Sequence, residues 1–376
     1  MRGIKLFAVA SLCVVSLLTV DAQPLAGKEY RWAWTGWERP AGVNPIISPD
    51  ANSVFFCPMK NVPMKWEESD TFNPAATIIN GKVVVLYRAE DNSAVGIGTR
   101  TSRIGYASSD DGLHFERAGA PVLFPDATDA AAADEVPGGC EDPRVCMTED
   151  GLYVMMYTQW NRRQARLGVA TSRDLISWTK HGSPFAKAYG GKFAHVFSKS
   201  ASIVTKMKGD KQVIAKINGK YWMYWGEQFV NVATSTDLIN WTPMLDANGD
   251  FLKVVEPRKG FFDSQLTECG PPAIMTKHGI ILFYNGKNDG GSAGDKRYTA
   301  NSYCAGQVLF SKSNPAKVLD RLDKPFFIPE EDFERSGQYP AGTVFIEGLV
   351  PFKGRWYLYY GCADSRVSVA VYDPGI

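Results

Sequence analysis

The chain has 376 residues, with 41 Lys and Arg against 40 Asp and Glu, for a formal net charge of +1 at pH 7. That balance, with no long run of one sign, excludes a basic nucleic-acid binder or an anionic-membrane binder and suits a neutral partner. Seven scattered cysteines and four histidines (His114, His181, His195, His278) show no zinc-type spacing, so neither a metal nor another cofactor is expected.

Met1 to Gln23 carries basic Arg2 and Lys5, an apolar run from Leu6 to Val20, then Asp21-Ala22-Gln23. This pattern predicts a cleaved secretory signal over 1–22 rather than a membrane span, and hence a periplasmic or secreted protein. Cys13 is a poor lipidation site because Leu12 precedes it where a small residue would be needed. No later stretch is apolar enough to cross a bilayer. Residues 23–60 read as a lead-in whose Trp32, Trp34 and Trp37 pack rather than bind.

From residue 61 onward the chain repeats itself. Gly105-Tyr106-Ala107-Ser108-Ser109-Asp110, Gly168-Val169-Ala170-Thr171-Ser172-Arg173-Asp174 and Asn231-Val232-Ala233-Thr234-Ser235-Thr236-Asp237 start at intervals of 63 residues. An aromatic follows each one: Phe115, Trp178 or Trp241. Looser copies begin at Gln307 and Ser368.

A β-hairpin precedes every copy, with first strands near Ala75, Pro143, Ala201, Pro272 and Gly348. The turns are Asn80-Gly81-Lys82, Glu149-Asp150-Gly151, Asn218-Gly219-Lys220, Lys277-His278-Gly279 and Lys353-Gly354-Arg355. A segment after the third strand can supply a fourth. Five four-stranded units of this size predict an all-β, five-bladed β-propeller over 61–376. Because the chain ends after the third strand of the fifth unit, Ser53 to Cys57 is expected to complete the last blade.

A propeller would gather the open end of every inner hairpin around one axis. Asn73, Arg88 and Asp91 come from the first unit, and Glu141, Asp142, Arg144 and Gln159 from the second. Lys199 and Glu227 belong to the third, Glu268, Asn285, Lys287 and Tyr303 to the fourth, and Glu347 and Asp364 to the fifth. Carboxylates and amides hold sugar hydroxyls, and a pair of carboxyl groups performs proton transfer on a glycosidic bond. For any one acid the plain alternative is a salt bridge, with Lys199, Lys287 or Arg144 as partner for Glu227 and Glu268.

Asn73-Pro74-Ala75, Leu86-Tyr87-Arg88-Ala89, Glu141-Asp142-Pro143-Arg144, Asn314-Pro315-Ala316-Lys317-Val318-Leu319 and Tyr359-Tyr360-Gly361-Cys362-Ala363-Asp364 together resemble glycoside hydrolase family 130. The resemblance runs from about Asn73 to Tyr372. It implies a five-bladed propeller acting with inversion on β-mannosidic bonds, by phosphorolysis or by hydrolysis. It also implies Asp142 as general acid, directly or through a substrate hydroxyl, with Arg88, Asp364 and Asn73 holding the sugar at the cleaved bond.

Phosphorolysis needs a cationic cradle, which the family's phosphorylases take from the third hairpin. Here that hairpin opens with Ser198-Lys199-Ser200 and closes with Gly226-Glu227-Gln228, and Glu268 adds a second acid. The expected activity is therefore hydrolysis of β-mannosides, β-1,2-linked by resemblance, in mannose-containing oligosaccharides. Asp142 would give the proton while Glu227 and Glu268 activate water. The mechanism needs Asp142 protonated near neutral pH, through burial and its neighbour Glu141. Two alternatives stay open: a phosphorylase using Lys199, Lys287, Arg144 and His195, and a sugar-binding propeller without catalysis.

Overall fold

Asx and ST turns explain the 63-residue repeat. In the computed structural model, which describes residues 28–374, Ser109 Oγ accepts the Gly112 N–H at 2.9 Å, and Asp111 Oδ1 accepts the N–H groups of Leu113 and His114. Ser172 and Asp174 do the same for Leu175, Ile176 and Ser177, and Ser235 and Asp237 for Leu238, Ile239 and Asn240. Short side chains that satisfy backbone donors two or three residues on make such turns self-sufficient. The aromatic that follows then seals the turn: the Trp178 and Trp241 indoles donate to the Leu175 and Leu238 carbonyls.

The described chain is mostly β. Five groups of antiparallel strands follow one another. The first group is Asp70–Ile79, Lys82–Glu90, Ser102–Ser109 and Glu116–Arg117; the second is Gly139–Met147, Tyr153–Trp160, Ala165–Ser172 and Thr179–Gly182. The third is built on Ala201–Lys208, Lys220–Trp225, Val230–Ser235 and Trp241–Pro243. In the fourth, two short pieces, Leu266–Cys269 and Ala273–Met275, share the partner Ile280–Lys287, which pairs with Tyr303–Phe310 and through it Val318–Arg321. The fifth is Val344–Phe352, Arg355–Cys362 and Arg366–Tyr372.

Within the groups a tyrosine on the second strand faces a glycine on the third: Tyr87 and Gly105, Tyr157 and Gly168, Tyr284 and Gly306. A Cβ on any of these glycines would lie 2.3–2.6 Å from the ring, so no other residue fits. Each tyrosine hydroxyl then donates to a buried carboxylate, Glu67, Glu135 or Asp263 respectively.

The strand groups contact one another in a closed cycle. Asp70–Ile79 lies beside Gly139–Met147, which touches Ala201–Lys208; that strand pairs in parallel with Ala273–Met275. The fourth group then meets Val344–Phe352, which returns to Asp70–Ile79. Apolar clusters fill the spaces between groups, for example Val154, Met156, Ile203, Met223 and Trp225 between the second and third.

Two expectations are corrected. Ser53–Cys57 does not join the fifth group; Val54–Cys57 pairs with Val62–Lys65 in its own two-stranded sheet. Beside Arg366–Tyr372 lie isolated bridges from Glu38 and Ile47, with the Asn44 side chain bonding both backbone groups of Val369. Pro40 and Pro45 lack N–H donors, which prevents a continuous ladder there. The third hairpin also holds an extra fold: Ala201–Lys208 turns at Gly209-Asp210 onto Lys211–Ile214 before the Asn218-Gly219 turn is reached.

Trp34 and Trp37 pack on Phe283 and Tyr372, and the Trp32 indole donates to Asp320, as expected of packing residues. The signal segment 1–22 and Cys13 lie outside the described residues. Among the described residues no helix is long and apolar enough to cross a membrane. The six described cysteines are buried free thiols.

Candidate active site

Bulges in the first strands aim the polar residues. Asn73 interrupts the register between Phe72 and Pro74, Asp142 that between Glu141 and Arg144, and Glu347 that between Ile346 and Gly348. In the third group the Gly226 N–H reaches the carbonyls of both Lys199 and Ser200, and in the fourth the strand breaks after Cys269. Asn73, Asp142 and Ser200 all carry positive φ, of 46°, 47° and 49°. Asn and Asp tolerate that region, and a bulge there turns a side chain out of the pleat toward the axis.

The result is a cavity of about 190 Å³ at one end of the cycle. Its walls include Asn73, Arg88, Asp142, Lys199, Glu227, Glu268, Tyr303 and Asp364, all expected from the sequence, so the three acids assigned to bond cleavage do share one space. Phe72, Glu90, Ile97, Gln338, Tyr339 and Phe345 complete it. Glu90 was legible: strand residues two apart share a face, so Arg88 brings Glu90 with it rather than Asp91. Gln338 and Tyr339 stand on a connection between groups and gave no sequence signal. Among the described residues no cluster suits a metal ion.

The remaining expected residues lie behind the cavity wall. Asp91 pairs with buried Arg103 at 3.0 Å, and the Gln159 amide donates to Glu135 on the outer face of its strand. Asn285 bonds both backbone groups of Ile346. Lys287 lies over the Tyr303 and Tyr339 rings, at 5.3 and 5.4 Å. Arg144 is a fastener between groups: it donates to the Cys269 and Gly270 carbonyls and pairs with Glu347 at 2.9 Å. Glu141 meets Arg88 at 2.8 Å, rather than Arg144. None of these residues lines the cavity.

Charge is unevenly held. Asp142 is 2% exposed and surrounded by donors: Asn73 Nδ2 at 2.9 Å, Arg88 at 3.1 Å and Lys199 Nζ at 3.3 Å. Burial alone would raise its pKa, but Lys199, Arg88 and Arg144 outweigh burial and hold the carboxyl well below the usual range. The expectation that Asp142 is protonated is therefore corrected, because its neighbours are cations as well as Glu141. The acids whose pKa is raised are others. Burial pushes Glu268 to about 7, against Lys199 and with help from Glu227. Burial likewise raises Asp364 to about 7 and Glu141 to about 7. Ser200 Oγ donates to Glu268 Oε1.

Five carboxyl side chains thus face two cations, Arg88 and Lys199, in a space about the size of one sugar ring. Both cations are already committed: Arg88 to Glu90, Glu141 and Asp142, Lys199 to Asp142. Such a pocket can hold several hydroxyls, move protons among acids and disfavour a dianion.

The family model for glycoside hydrolase family 130, described as β-1,4-mannooligosaccharide phosphorylase, matches residues 49–374. The chain is 32% identical to a 1,2-β-oligomannan phosphorylase of a Thermoanaerobacter species, over 88% of this chain and 95% of that one. It is 72% identical to a solved structure from Bacteroides thetaiotaomicron provisionally named a glycosidase, with a TM-score of 0.91 over 92% of this chain and 99% of that one. A further solved chain is 60% identical, with a TM-score of 0.91 over 92% of this chain and 96% of that one. It was reported under the finding that this family of mannoside phosphorylases contains hydrolases targeting β-1,2 mannosidic linkages in Candida mannan.

Proposed function

This chain belongs to glycoside hydrolase family 130, and from that premise we propose that it is an exported, inverting hydrolase of β-mannosidic bonds, β-1,2-linked in its natural substrate. The observation that carries the choice of water over phosphate is the charge balance of the cavity, where five carboxyl groups outnumber two cations that are already ion-paired. A phosphate dianion would have to displace those pairs without a free cation to receive it. Of the groups named for a phosphate cradle, Arg144 and Lys287 lie behind the wall, and His195 is exposed and outside the cavity.

The mannose ring occupies the pocket with hydroxyls on Asn73, Arg88 and Asp364. Water sits on the side of Glu227 and Glu268 and loses its proton to Glu268 as it attacks the anomeric carbon. The glycosidic oxygen leaves on the opposite face and takes a proton from Asp142, directly or through a sugar hydroxyl. Because Lys199 and Arg88 hold the Asp142 pKa low, the substrate has to part the acid from Lys199. A hydroxyl placed between Nζ and Oδ2 weakens the charge that keeps the acid low, and the buried carboxyl then takes up its proton.

The strand groups are read as the blades of a five-bladed propeller, supported by the closed cycle of contacts between successive groups. The catalytic unit begins near residue 61, after a secretory signal over 1–22 and a lead-in.

β-1,2-Mannobiose incubated with and without phosphate tests the activity. Mannose alone in both buffers is the expected product. Mannose 1-phosphate formed only with phosphate would replace the hydrolase by a phosphorylase. Tight glycan binding without product in either buffer would leave a binding protein.

A further inference from the structure

The connection from Asp91 to Thr101 bears two large apolar side chains that nothing in the fold needs. Val95 is 90% exposed and Ile97 56% exposed, yet Ile97 lines the reaction cavity. One exposed aliphatic residue is ordinary on any surface. Two on one tip, at the mouth of a pocket otherwise walled by charges and rings, are a feature to explain.

The tip is also held in place. Gly96 and Gly98 have φ of 105° and 73°, a conformation that only glycine adopts without strain, and they bracket Ile97 in a tight reversal. Thr99 Oγ1 donates to the Val95 and Gly96 carbonyls. The Trp160 indole donates to the Gly98 carbonyl at 2.8 Å, pinning the tip to the second group. At its base Arg100 is ion-paired with Asp70 and Glu90, and Asp91 accepts the N–H groups of Ser93 and Thr101. This is a fixed ledge.

Its place relative to the acids gives it a role. Glu227 and Glu268 come from the third and fourth groups, while Asp142 and the ledge come from the first and second. In an inverting reaction the leaving oxygen departs on the face away from the attacking water, toward the acid that protonates it. We propose that the Val95–Ile97 ledge, pinned by Trp160, is the platform for the sugar on the leaving side of the cleaved bond. The apolar C–H face of that sugar rests on Ile97, and the ledge sets preference for a glycosyl leaving group. Ile97 is thus a specificity residue and Trp160 a positioning residue. The inference rests on the hydrolase reading above for its direction along the substrate.

The test uses the intact protein and Ile97→Ser, with Trp160→Phe as a second variant that removes the pinning hydrogen bond along with part of the ring. Calorimetry compares mannose with a sulfur-linked β-1,2-mannobiose that cannot be cleaved. Wild type should bind the disaccharide at least about tenfold tighter than mannose, and both variants should lose most of that gain, with mannose binding unchanged in Trp160→Phe, whose side chain lies outside the cavity. Turnover of β-mannosyl fluoride, whose leaving group reaches nothing on the ledge, should match wild type in Trp160→Phe and fall far less than turnover of mannobiose in Ile97→Ser, while KM for mannobiose rises in both variants. A disaccharide gain that survives Ile97→Ser, or an equal loss on mannobiose and the fluoride, overturns the platform. Absence of any turnover by wild type, with the disaccharide gain intact and lost in the variants, would sink the hydrolase reading and leave the ledge as a sugar site.

Discussion

Lys199 Nζ lies 3.3 Å from Asp142 Oδ2, so the acid assigned to protonate the leaving group is the anion of a buried ion pair. Lys199 also feels Glu227 and Glu268, and its own pKa is raised well above normal although burial opposes it. One ammonium therefore acts on both sides of the cleavage machinery: with Arg88 and Arg144 it holds Asp142 low, and it opposes the burial that raises Glu268.

Lys199→Met should raise the Asp142 pKa and free its proton at higher pH. The alkaline limb of kcat/KM should move upward, while the maximum falls by about two orders of magnitude as the positioned charge is lost. A pH–rate profile of the variant checks this. An unmoved alkaline limb would disconnect Lys199 from the acid.

Asp142→Asn should reduce kcat on β-1,2-mannobiose by roughly three to four orders of magnitude and should also lower Tm, because it removes the buried anion that Arg88 and Lys199 share. The amide keeps the shape of the side chain but has no carboxyl proton to give. Circular dichroism melts alongside turnover separate loss of chemistry from loss of fold.

Glu268, raised to about 7, must be ionised to take a proton from water, so kcat/KM should fall as pH drops through about 7. Glu268→Gln should abolish that acid limb along with most of the activity. Stability should run the other way. Glu268, Glu141 and Asp364 hold protons in the folded state up to about 7, whereas the unfolded chain releases them near 4, so folding loses stability as pH rises between those limits. Tm should be higher at pH 5 than at pH 8, and Glu268→Gln should shrink the difference.

Arg144→Met should cost about 1–3 kcal/mol of stability, because it leaves two buried carbonyls of the fourth group without a donor and removes the partner of Glu347, whose carboxyl burial already holds well above the usual range. Denaturant unfolding measures it. A change below about 1 kcal/mol would mean that the ion pair contributes nothing net.

Local chemistry was legible from the sequence. The Ser and Asp turns, the hairpin reversals at Asn80-Gly81 and Lys353-Gly354, and the acids at the open strand ends depend on neighbours within a few residues. Period-two alternation would also have chosen Glu90 over Asp91. What only the tertiary structure decided is which polar groups face one another. Asp142 meets Lys199 across 57 residues and Arg88 across 54, and that company reverses the protonation that burial alone would give. Arg144 looked like a sugar ligand beside Asp142, yet it reaches carbonyls 125 and 126 residues away. Strand patterns specify a residue's face and its end of the sheet; the charges opposite it come from distant segments, and a carboxyl's proton depends on those charges.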